Sequence, residues 1–326
     1  MGIKYLNRFL MDNCSKKSIK KCHLSALKKK RFVIDASIYM YKFKGENALM
    51  EHMYLFISIL KHYEIEPIFV FDGKPPAEKK EILIKRRMDK LDAEQKYMEI
   101  QKQFENETNE EKKQDLLASM DTLKKQFITI KDEDIKKVKE LLESYGVVYY
   151  VSPGEADQYC AHLIKQNIAD GCISDDMDMF LYDCKMIVRH ISLLNHTIVI
   201  YDCCKILNDL KLSRRLFCEI MVLSGTDYNL NMETSLYESI RWYYEYIKYL
   251  EKYTLDKNVT PPLTYYVWLI KNTKYIKDYG KLLKTYQMFQ LEHYSYNDVV
   301  VDNNKPMIDM EKLKEILYPE GFIFVM

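Results

Sequence analysis

Residues 147–182 read VVYYVSPGEADQYCAHLIKQNIADGCISDDMDMFLY, two short apolar runs joined by a segment of helical period. The apolar runs, at 147–151 and 172–173, are typical of buried strands. The runs FVI at 32–34 and IFVF at 68–71 have the same character. Because segments of helical period separate these runs, the sequence predicts an α/β fold with a central, mostly parallel twisted sheet flanked by helices.

Carboxylates follow every one of these predicted strands within a few residues. They are Asp35, Asp72, Glu155, Asp157, Asp176 and Asp178. Ligands of doubly wound sheets bind beyond the carboxyl ends of the strands, so four separate strands would bring these acids into one cleft. Asp227, in the sequence GTDYN at 225–229, is a candidate seventh member of the group.

Seven carboxylates in one cleft would repel one another strongly unless cations neutralised them, so their convergence predicts bound metal. Ligands that are all oxygen favour Mg²⁺, or Mn²⁺ in its place, over zinc. Two such ions about 4 Å apart activate a water molecule and stabilise the leaving oxygen of a phosphodiester. The acids therefore predict a hydrolase that uses two Mg²⁺ ions to cut a nucleic-acid backbone.

Each acid also has a purely structural interpretation. Asp35 and Asp157 fit helix caps. Asp72 fits a turn with Gly73, and the acids at 176–178 fit a run of cap residues. For any single acid the structural interpretation is the simpler one, but it must hold separately at five places, whereas one metal site accounts for all of them.

A long helical insertion is predicted between the second and third strands. Residues 77–145 contain neither Pro nor Gly and are rich in Glu, Lys, Gln and Leu, which favours an almost continuous helical segment. Apolar positions are sparse through 91–122, so this part can bury little and is expected to form a projecting, mobile arm. From Phe217 onward the sequence predicts further helices.

The overall composition limits the class of protein. Hydrophobic residues make up 48% and charged residues 30% of the 326 residues, which excludes a disordered chain. No run approaches the roughly 18 apolar residues of a membrane span, and MGIKYLNRFL lacks the apolar core of a secretory signal. We therefore expect an intracellular protein without a membrane partner, in the nucleus or at a cytoplasmic viral replication site. Eight cysteines without a CxxC pair predict reduced thiols.

The amino end is strongly basic although the net charge of the whole chain is only +1. The first 31 residues hold ten basic side chains, Lys4 among them, against a single acid, Asp12. This density predicts contacts with the phosphates of a nucleic acid. A solvated, lysine-rich loop is the alternative.

The motifs together resemble the structure-specific flap endonucleases of the FEN/XPG type. The matching segments are MGIK at 1–4, FVIDASIYMY at 32–41, FVFDGKPP at 69–76, PGEADQYCAHL at 153–163, SDDMDMFLY at 174–182 and SGTDYN at 224–229. The resemblance implies a PIN-like 5′-nuclease core over 1–230 that contains the insertion, here an arch that admits a free 5′ strand. It also implies that all seven acids bind metal, with Asp157 in place of the family's second glutamate.

The same resemblance assigns residues that contact the substrate. Lys79 and Arg86 match a lysine and an arginine that touch the scissile phosphate, and their separation of seven residues would place both on one helix face. A solvated stripe shared with nearby glutamates is the alternative. Gly2, Lys4 and Tyr41 are predicted to bind substrate, Gly2 as the processed amino terminus and Tyr41 by stacking on a base. Tyr41 fits a core position equally well.

The chain departs from the family pattern after Asp227. No glycine occurs between Gly225 and Gly280, so the family's glycine-containing hairpin and its K⁺ ion are not transferred, and residues 231–326 are predicted to be a divergent helical region. The final residues EGFIFVM lack the box that binds a sliding clamp, so no clamp partner is predicted. These losses, together with a composition rich in Tyr, Lys, Ile and Asn, suggest a divergent member from a large DNA virus.

The predicted function is that of a monomeric, Mg²⁺-dependent 5′-flap endonuclease and 5′ to 3′ exonuclease. Its predicted partner is DNA with a 5′ flap or junction, during replication, repair or recombination. Two alternatives remain open from the sequence. A 5′ to 3′ exoribonuclease would share the initial MG and the acid-rich sheet edge, and an inactive junction-binding scaffold would keep only the basic amino end in use.

Overall fold

Seven strands form one mixed sheet in the computed structural model, which describes residues 2–229, 235–255, 263–291 and 308–324. The strand order is β1-β7-β6-β5-β2-β3-β4. The strands are β1 (Ile19–His23), β2 (Arg31–Asp35), β3 (Glu66–Phe71), β4 (Val148–Val151), β5 (Gly171–Ile173), β6 (Met186–Ser192) and β7 (Thr197–Asp202). The α/β fold and all four strands predicted from apolar runs are confirmed.

Helices account for most of the remaining described chain. They are α1 (Leu6–Asn13), α2 (Ala36–Gly45), α3 (Leu49–His62), α4 (Lys80–Asn106), α5 (Glu110–Lys124), α6 (Asp132–Ser144), α7 (Ala156–Lys165), α8 (Cys203–Leu210), α9 (Arg214–Leu223), α10 (Leu236–Leu255), α11 (Tyr265–Asn272), α12 (Tyr279–Met288) and α13 (Met310–Leu317). Within the described ranges, no helix has the length and apolar character needed to span a membrane.

The chain divides into two compact units, and the division does not follow the predicted boundary at residue 230. The first unit contains residues 1–26, 31–33 and 157–300, and the second contains 27–30, 34–156 and 301–326. The last helix, α13, belongs to the second unit, where the backbone N–H of Asp309 donates to the carbonyl of Ser144 at 2.8 Å. A separate helical domain from residue 231 onward stays a prediction.

The second unit is built on the parallel pair β3 and β4, in which Ile68 faces Val148 across the register. Helices α2 and α3 supply an aromatic core, with the rings of Tyr39 and Phe56 4.6 Å apart. Phe56 in turn packs edge-on against Phe69 of β3 at 6.1 Å. Five of the six side chains of β3 are buried, and a strand buried on both faces gives the continuous apolar run seen in the sequence.

The first unit contains three strands that the sequence did not reveal, β1, β6 and β7. Strand β6 pairs parallel with β5, and β7 pairs antiparallel with both β6 and β1. Strand β1 has the sequence IKKCH and lies at the end of the strand order, where both of its lysines stay exposed. A charged end strand of this kind discourages pairing with other chains and carries no apolar alternation that would identify it.

The predicted insertion at 77–145 is helical, and two short breaks at 107–109 and 125–131 divide it into α4, α5 and α6. Helices α4 and α5 pack against each other, and within them only Ile82, Ala93 and Met120 are buried. Helix α6 differs because it buries Val138 and Leu141 in the second unit, so it is a core helix. The weakly buried part of the insertion therefore covers α4 and α5.

The helical region after Asp227 packs around aromatic rings in the first unit. Trp242 of α10 lies 6.3 Å from Trp268 of α11, and the hydroxyl of Tyr265 donates to the carbonyl of Ser239 at 2.9 Å. Residues 230–234, 256–262 and 292–307, part of the predicted divergent region, lie outside the described residues. The described helices confirm the helical character that the sequence predicts for this region.

Candidate active site

Asp35 ends strand β2 in the second unit and caps helix α2. Its Oδ1 accepts hydrogen bonds from the backbone N–H groups of Ser37 at 2.8 Å and Ile38 at 3.4 Å. The side chain is buried, with 6% of its surface exposed. The structural interpretation as a helix cap is therefore confirmed for this acid. Both bonds use the same oxygen of the carboxylate, and metal binding by Asp35 stays a prediction.

Asp72 follows strand β3 and is connected to Asp35 through one serine. The hydroxyl of Ser37 donates to Asp72 Oδ2 at 2.6 Å, while the backbone N–H of the same serine donates to Asp35. The other oxygen of Asp72 accepts from the backbone N–H of Ala156 at 2.9 Å. Ser37 therefore fixes two of the predicted metal-binding acids relative to each other. The sequence analysis did not single it out, although it lies within the quoted motif FVIDASIYMY.

We expect replacement of Ser37 by alanine to raise the Mg²⁺ concentration needed for half-maximal cleavage without unfolding the protein. The change removes the hydroxyl that orients Asp72 but keeps the backbone N–H that Asp35 caps. Loss of such an outer contact typically lowers metal affinity by about tenfold or more. Cleavage rates over a Mg²⁺ titration measure the effect. Ser58→Ala is the control, because it also removes a hydroxyl contact, here with Tyr145. An unchanged Mg²⁺ dependence in Ser37→Ala would contradict the expectation.

Glu155 lies just before helix α7 and forms an ion pair with Lys79. Lys79 Nζ contacts Glu155 Oε2, and the two side chains are only 13% and 9% exposed. The hydroxyl of Ser152 donates to the backbone carbonyl of Glu155 at 2.9 Å and stabilises the turn before the helix. The structure thus brings together a predicted phosphate-binding lysine and a predicted metal-binding acid, a contact that sequence spacing did not indicate.

Arg86 and Tyr41 lie near a third cation, Lys90, in the same unit. Lys90 Nζ is 5.1 Å from the centre of the Tyr41 ring. Burial lowers the pKa of Lys90, and the positive charge of Arg86 lowers it further. Tyr41 is 41% exposed, so it is a surface side chain and the alternative of a core position is wrong. Lys79 belongs to a 3₁₀ turn that precedes α4, so it does not share a continuous α-helical face with Arg86.

Three predicted acids of the first unit are joined by hydrogen bonds. The backbone N–H of Asp178 donates to Asp176 Oδ1 at 2.9 Å, and the backbone N–H of Asp227 donates to Asp178 Oδ2 at 3.3 Å. Asp176 and Asp178 are 6% and 4% exposed. The backbone N–H of Asp176 is itself held by the hydroxyl of Ser174 at 3.1 Å. Acids from the end of β5 and from the segment after α9 therefore meet at one place.

Gly2 lies directly against these acids. A Cβ atom added to Gly2 would be 2.6 Å from Asp176 Oδ1 and 2.6 Å from Asp178 Oδ1, closer than atoms can approach. Its φ angle of 77° also falls in the left-handed region that favours glycine. The predicted position of the amino end beside the acids is therefore observed, and Lys4 is exposed two residues further on. Substrate binding by Gly2 and Lys4 stays a prediction.

The negative charge of Asp157 acts on a buried tyrosine, Tyr182, that no sequence motif indicated as a site residue. Burial raises the pKa of Tyr182 well above its ordinary value, and the neighbouring Tyr228 raises it further. The negative charges of Asp157 and Asp178 act in the same direction. Asp157 is in the first turn of α7 and not at its cap position. Tyr182 therefore stays protonated at neutral pH.

The chemistry of these side chains suits Mg²⁺ or Mn²⁺. The predicted ligands in both units are carboxylates and include no thiol or imidazole, which is the set that hard cations prefer. Gly2 also leaves the space beside Asp176 and Asp178 free of a side chain. Over the described ranges, no group of three or more His, Cys, Asp or Glu side chains is arranged as a metal site by itself. The fit to Mg²⁺ or Mn²⁺ therefore rests on the oxygen chemistry of the separate carboxylates and not on an assembled cluster.

Two family models match the chain, and both matched segments contain predicted metal-binding acids. The XPG N-terminal domain matches residues 1–93, which include Asp35 and Asp72, and the XPG I-region matches residues 146–227, which end at Asp227. Together they cover more than half of the chain. The chain belongs to the XPG family. The resemblance drawn from the sequence motifs is thereby confirmed, and the segment between the two matches, 94–145, contains the second half of α4 together with α5 and α6.

Named relatives of this XPG-family chain include viral, archaeal and protist proteins. A probable RAD2-like endonuclease of Invertebrate iridescent virus 6 is 28% identical over 71% of this chain and 68% of its own length. Flap endonuclease 1 of Methanococcus aeolicus is 28% identical over 97% of this chain and 96% of its own. Flap endonuclease 1 of Cryptosporidium muris is 30% identical over 70% of this chain, which spans only 52% of that protein.

Solved structures of XPG-family nucleases share the fold. The catalytic core of Rad2 in complex with DNA substrate superimposes with a TM-score of 0.65 at 22% identity, covering 96% of this chain and 93% of that one. Flap endonuclease-1 from Methanococcus jannaschii gives a TM-score of 0.62 at 19% identity, covering 98% of this chain and 93% of that one. The predicted PIN-like 5′-nuclease architecture is therefore confirmed.

Proposed function

We propose that this chain is a structure-specific 5′ nuclease that hydrolyses phosphodiester bonds in DNA with two Mg²⁺ ions and prefers 5′ flaps. The observation that carries the proposal is the pair of hydrogen-bonded acid groups. One group, in the second unit, links Asp35, Asp72 and Glu155 with Ser37 and Lys79. The other, in the first unit, joins Asp176, Asp178 and Asp227 and lies against Gly2, and Asp157 is proposed to complete it.

The acids are proposed to hold the metal, and the cations to hold the phosphate. When bound, Mg²⁺ supplies a Lewis acid that lowers the pKa of a water molecule and polarises the phosphoryl oxygens. Lys79 and Arg86 neutralise charge that develops on the scissile phosphate. Ser37 keeps Asp35 and Asp72 in place through its backbone N–H and its hydroxyl. Fixed carboxylates need little rearrangement when the metal arrives.

The remaining parts of the proposal concern substrate handling and location. Exposed Tyr41, with Lys90 over its ring, is proposed to stack on a base beside the junction. Helices α4 and α5 are proposed to pass a free 5′ strand, because their polar, weakly buried faces suit contact with a nucleic acid. We propose that the protein acts as a monomer in DNA replication, repair or recombination, in the nucleus or at a cytoplasmic viral replication site.

A cleavage assay on a panel of substrates tests this function. The purified chain is incubated with 5′-flap, nicked duplex, Holliday-junction and single-stranded DNA, and with 5′-monophosphate RNA, each with Mg²⁺ or with a chelator. We expect Mg²⁺-dependent cutting of the 5′ flap at least about tenfold faster than of the single strand, and complete loss with the chelator, because a bound metal would activate the attacking water. Preference for the RNA would indicate an exoribonuclease. Junction binding without any cleavage would indicate a scaffold.

A further inference from the structure

Arg189 of strand β6 is a buried cation beneath the loop that carries Asp176 and Asp178. Only 5% of its surface is exposed. Burying a guanidinium costs folding free energy unless its donors are satisfied, so a strand position of this kind is normally apolar. Across the described residues, Arg189 forms no ion pair with a carboxylate. A role in balancing one particular acid is therefore not the reason for its presence.

The contacts of Arg189 join two segments that both face the predicted metal-binding acids. Its Nη2 donates to the backbone carbonyl of Asp175 at 2.9 Å, and its Nη1 donates to Asn7 Oδ1 at 3.0 Å. The same oxygen of Asn7 accepts from the hydroxyl of Tyr201 at 2.6 Å, and the guanidinium lies 5.7 Å from the centre of the Tyr201 ring. The planar fork of an arginine presents donors on separate nitrogens in a fixed geometry, whereas the three donors of a lysine all share one nitrogen on a flexible chain.

The start of the loop that Arg189 holds makes further hydrogen bonds with β6. The side chain of Asp175 accepts a hydrogen bond from the backbone N–H of His190 at 2.9 Å, and the backbone N–H of Ser174 donates to the carbonyl of Val188 at 3.1 Å. Every one of these contacts comes from β6. From Asp175 the chain continues directly into Asp176, so the carbonyl that Arg189 grips sets the peptide plane from which Asp176 projects.

The second segment held by Arg189 is helix α1. Asn7 lies in its first turn, five residues after Gly2, whose backbone lies against Asp176 and Asp178. One buried guanidinium therefore holds both the loop that carries the acids and the helix that follows the amino end. Removal of either bond would let the acids and the amino end move independently.

We propose that Arg189, supported by Asn7 and Tyr201, is a positioning residue that holds the loop of Asp176 and Asp178 in a metal-binding geometry. This inference rests on the proposed function, because it concerns the affinity of those acids for Mg²⁺. Residues that orient metal ligands from behind typically change metal affinity by about 10- to 100-fold when they are replaced. The turnover of enzyme saturated with Mg²⁺ should change little, since Arg189 does not touch the substrate.

Three variants of the full chain test the inference. Arg189→Lys keeps the positive charge but loses one arm of the fork, and Tyr201→Phe removes only the hydroxyl that donates to Asn7. Tyr266→Phe is the matched control, because it too loses a buried tyrosine hydroxyl, which donates to the carbonyl of Glu219 at 2.8 Å in the helical region. Isothermal titration with MgCl₂ gives the dissociation constant, thermal unfolding reports the fold, and flap cleavage is measured at limiting and saturating Mg²⁺.

We expect the Mg²⁺ dissociation constant to rise about tenfold in Arg189→Lys and about threefold in Tyr201→Phe, and to stay unchanged in Tyr266→Phe. The slower cleavage of the first two variants should recover to within about twofold at saturating Mg²⁺. Unchanged Mg²⁺ affinity in folded Tyr201→Phe, or a loss of cleavage that Mg²⁺ does not restore, would overturn the inference. If Arg189→Lys does not fold, the isosteric Tyr201→Phe variant decides. A wild-type chain that neither binds Mg²⁺ nor cleaves would overturn the proposed function instead.

Discussion

Replacement of Asp176 by alanine is expected to abolish Mg²⁺-dependent cleavage, with a rate at least about a thousandfold below wild type. Asp176 is buried, accepts the backbone N–H of Asp178 and lies beside Gly2. Its removal takes one carboxylate out of a group of fixed oxygen ligands, and a hard cation loses affinity with each charged ligand that is lost. Single-turnover cleavage of a 5′-flap substrate under excess enzyme measures the chemical step without the effect of product release.

A neighbouring aspartate provides the control for this variant. Asp183 follows the same motif but its side chain is 83% exposed, with only a long contact of 3.9 Å to Arg214. Asp183→Ala should cleave within about twofold of wild type, because exposed ion pairs contribute little. A wild-type cleavage rate in Asp176→Ala would contradict the proposal that the acids of the first unit bind the metal. Binding of flap DNA should persist in Asp176→Ala, and this measurement separates a loss of catalysis from a loss of substrate binding.

The second large effect is expected for Lys79→Met, which should lower the cleavage rate about a hundredfold while leaving Mg²⁺ affinity intact or slightly higher. Lys79 contacts Glu155, and both side chains are largely shielded from water. A lysine that only balanced the acid would compete with the metal for it, so its removal alone would favour metal binding. A lysine that also neutralises the phosphate adds a loss in the chemical step.

The two functions of Lys79 can be separated by measuring binding and rate independently. Titration of Mg²⁺ into the DNA-free variant reports competition for Glu155, and single-turnover cleavage at saturating Mg²⁺ reports the contribution to chemistry. Lys136→Met is the control, since Lys136 is 78% exposed and pairs only with Glu140 on α6. A Lys79→Met variant that cleaves at the wild-type rate would show that the lysine serves the acid alone.

The strands that position the acids were predictable because they are apolar on both faces. Strand β3, for example, appears in the sequence as IFVF followed at once by Asp72. Strand β6 was not predictable in the same way, because Arg189 and His190 interrupt its apolar run. The packing of α6 into the core was not predictable either, since α6 shares the helical composition of α4 and α5 and differs only in what it packs against.

The sequence by itself determined which acids follow which strands, and with them the family and the oxygen-rich chemistry of the site. Those features are local, since a strand and the acid at its end are neighbours in the chain. Only the tertiary structure decided that Ser37 ties Asp35 to Asp72, that Lys79 pairs with Glu155, and that Arg189 grips the loop before Asp176. These contacts join residues far apart in sequence, and no periodicity records which distant side chains the folding of the chain will bring within hydrogen-bonding distance.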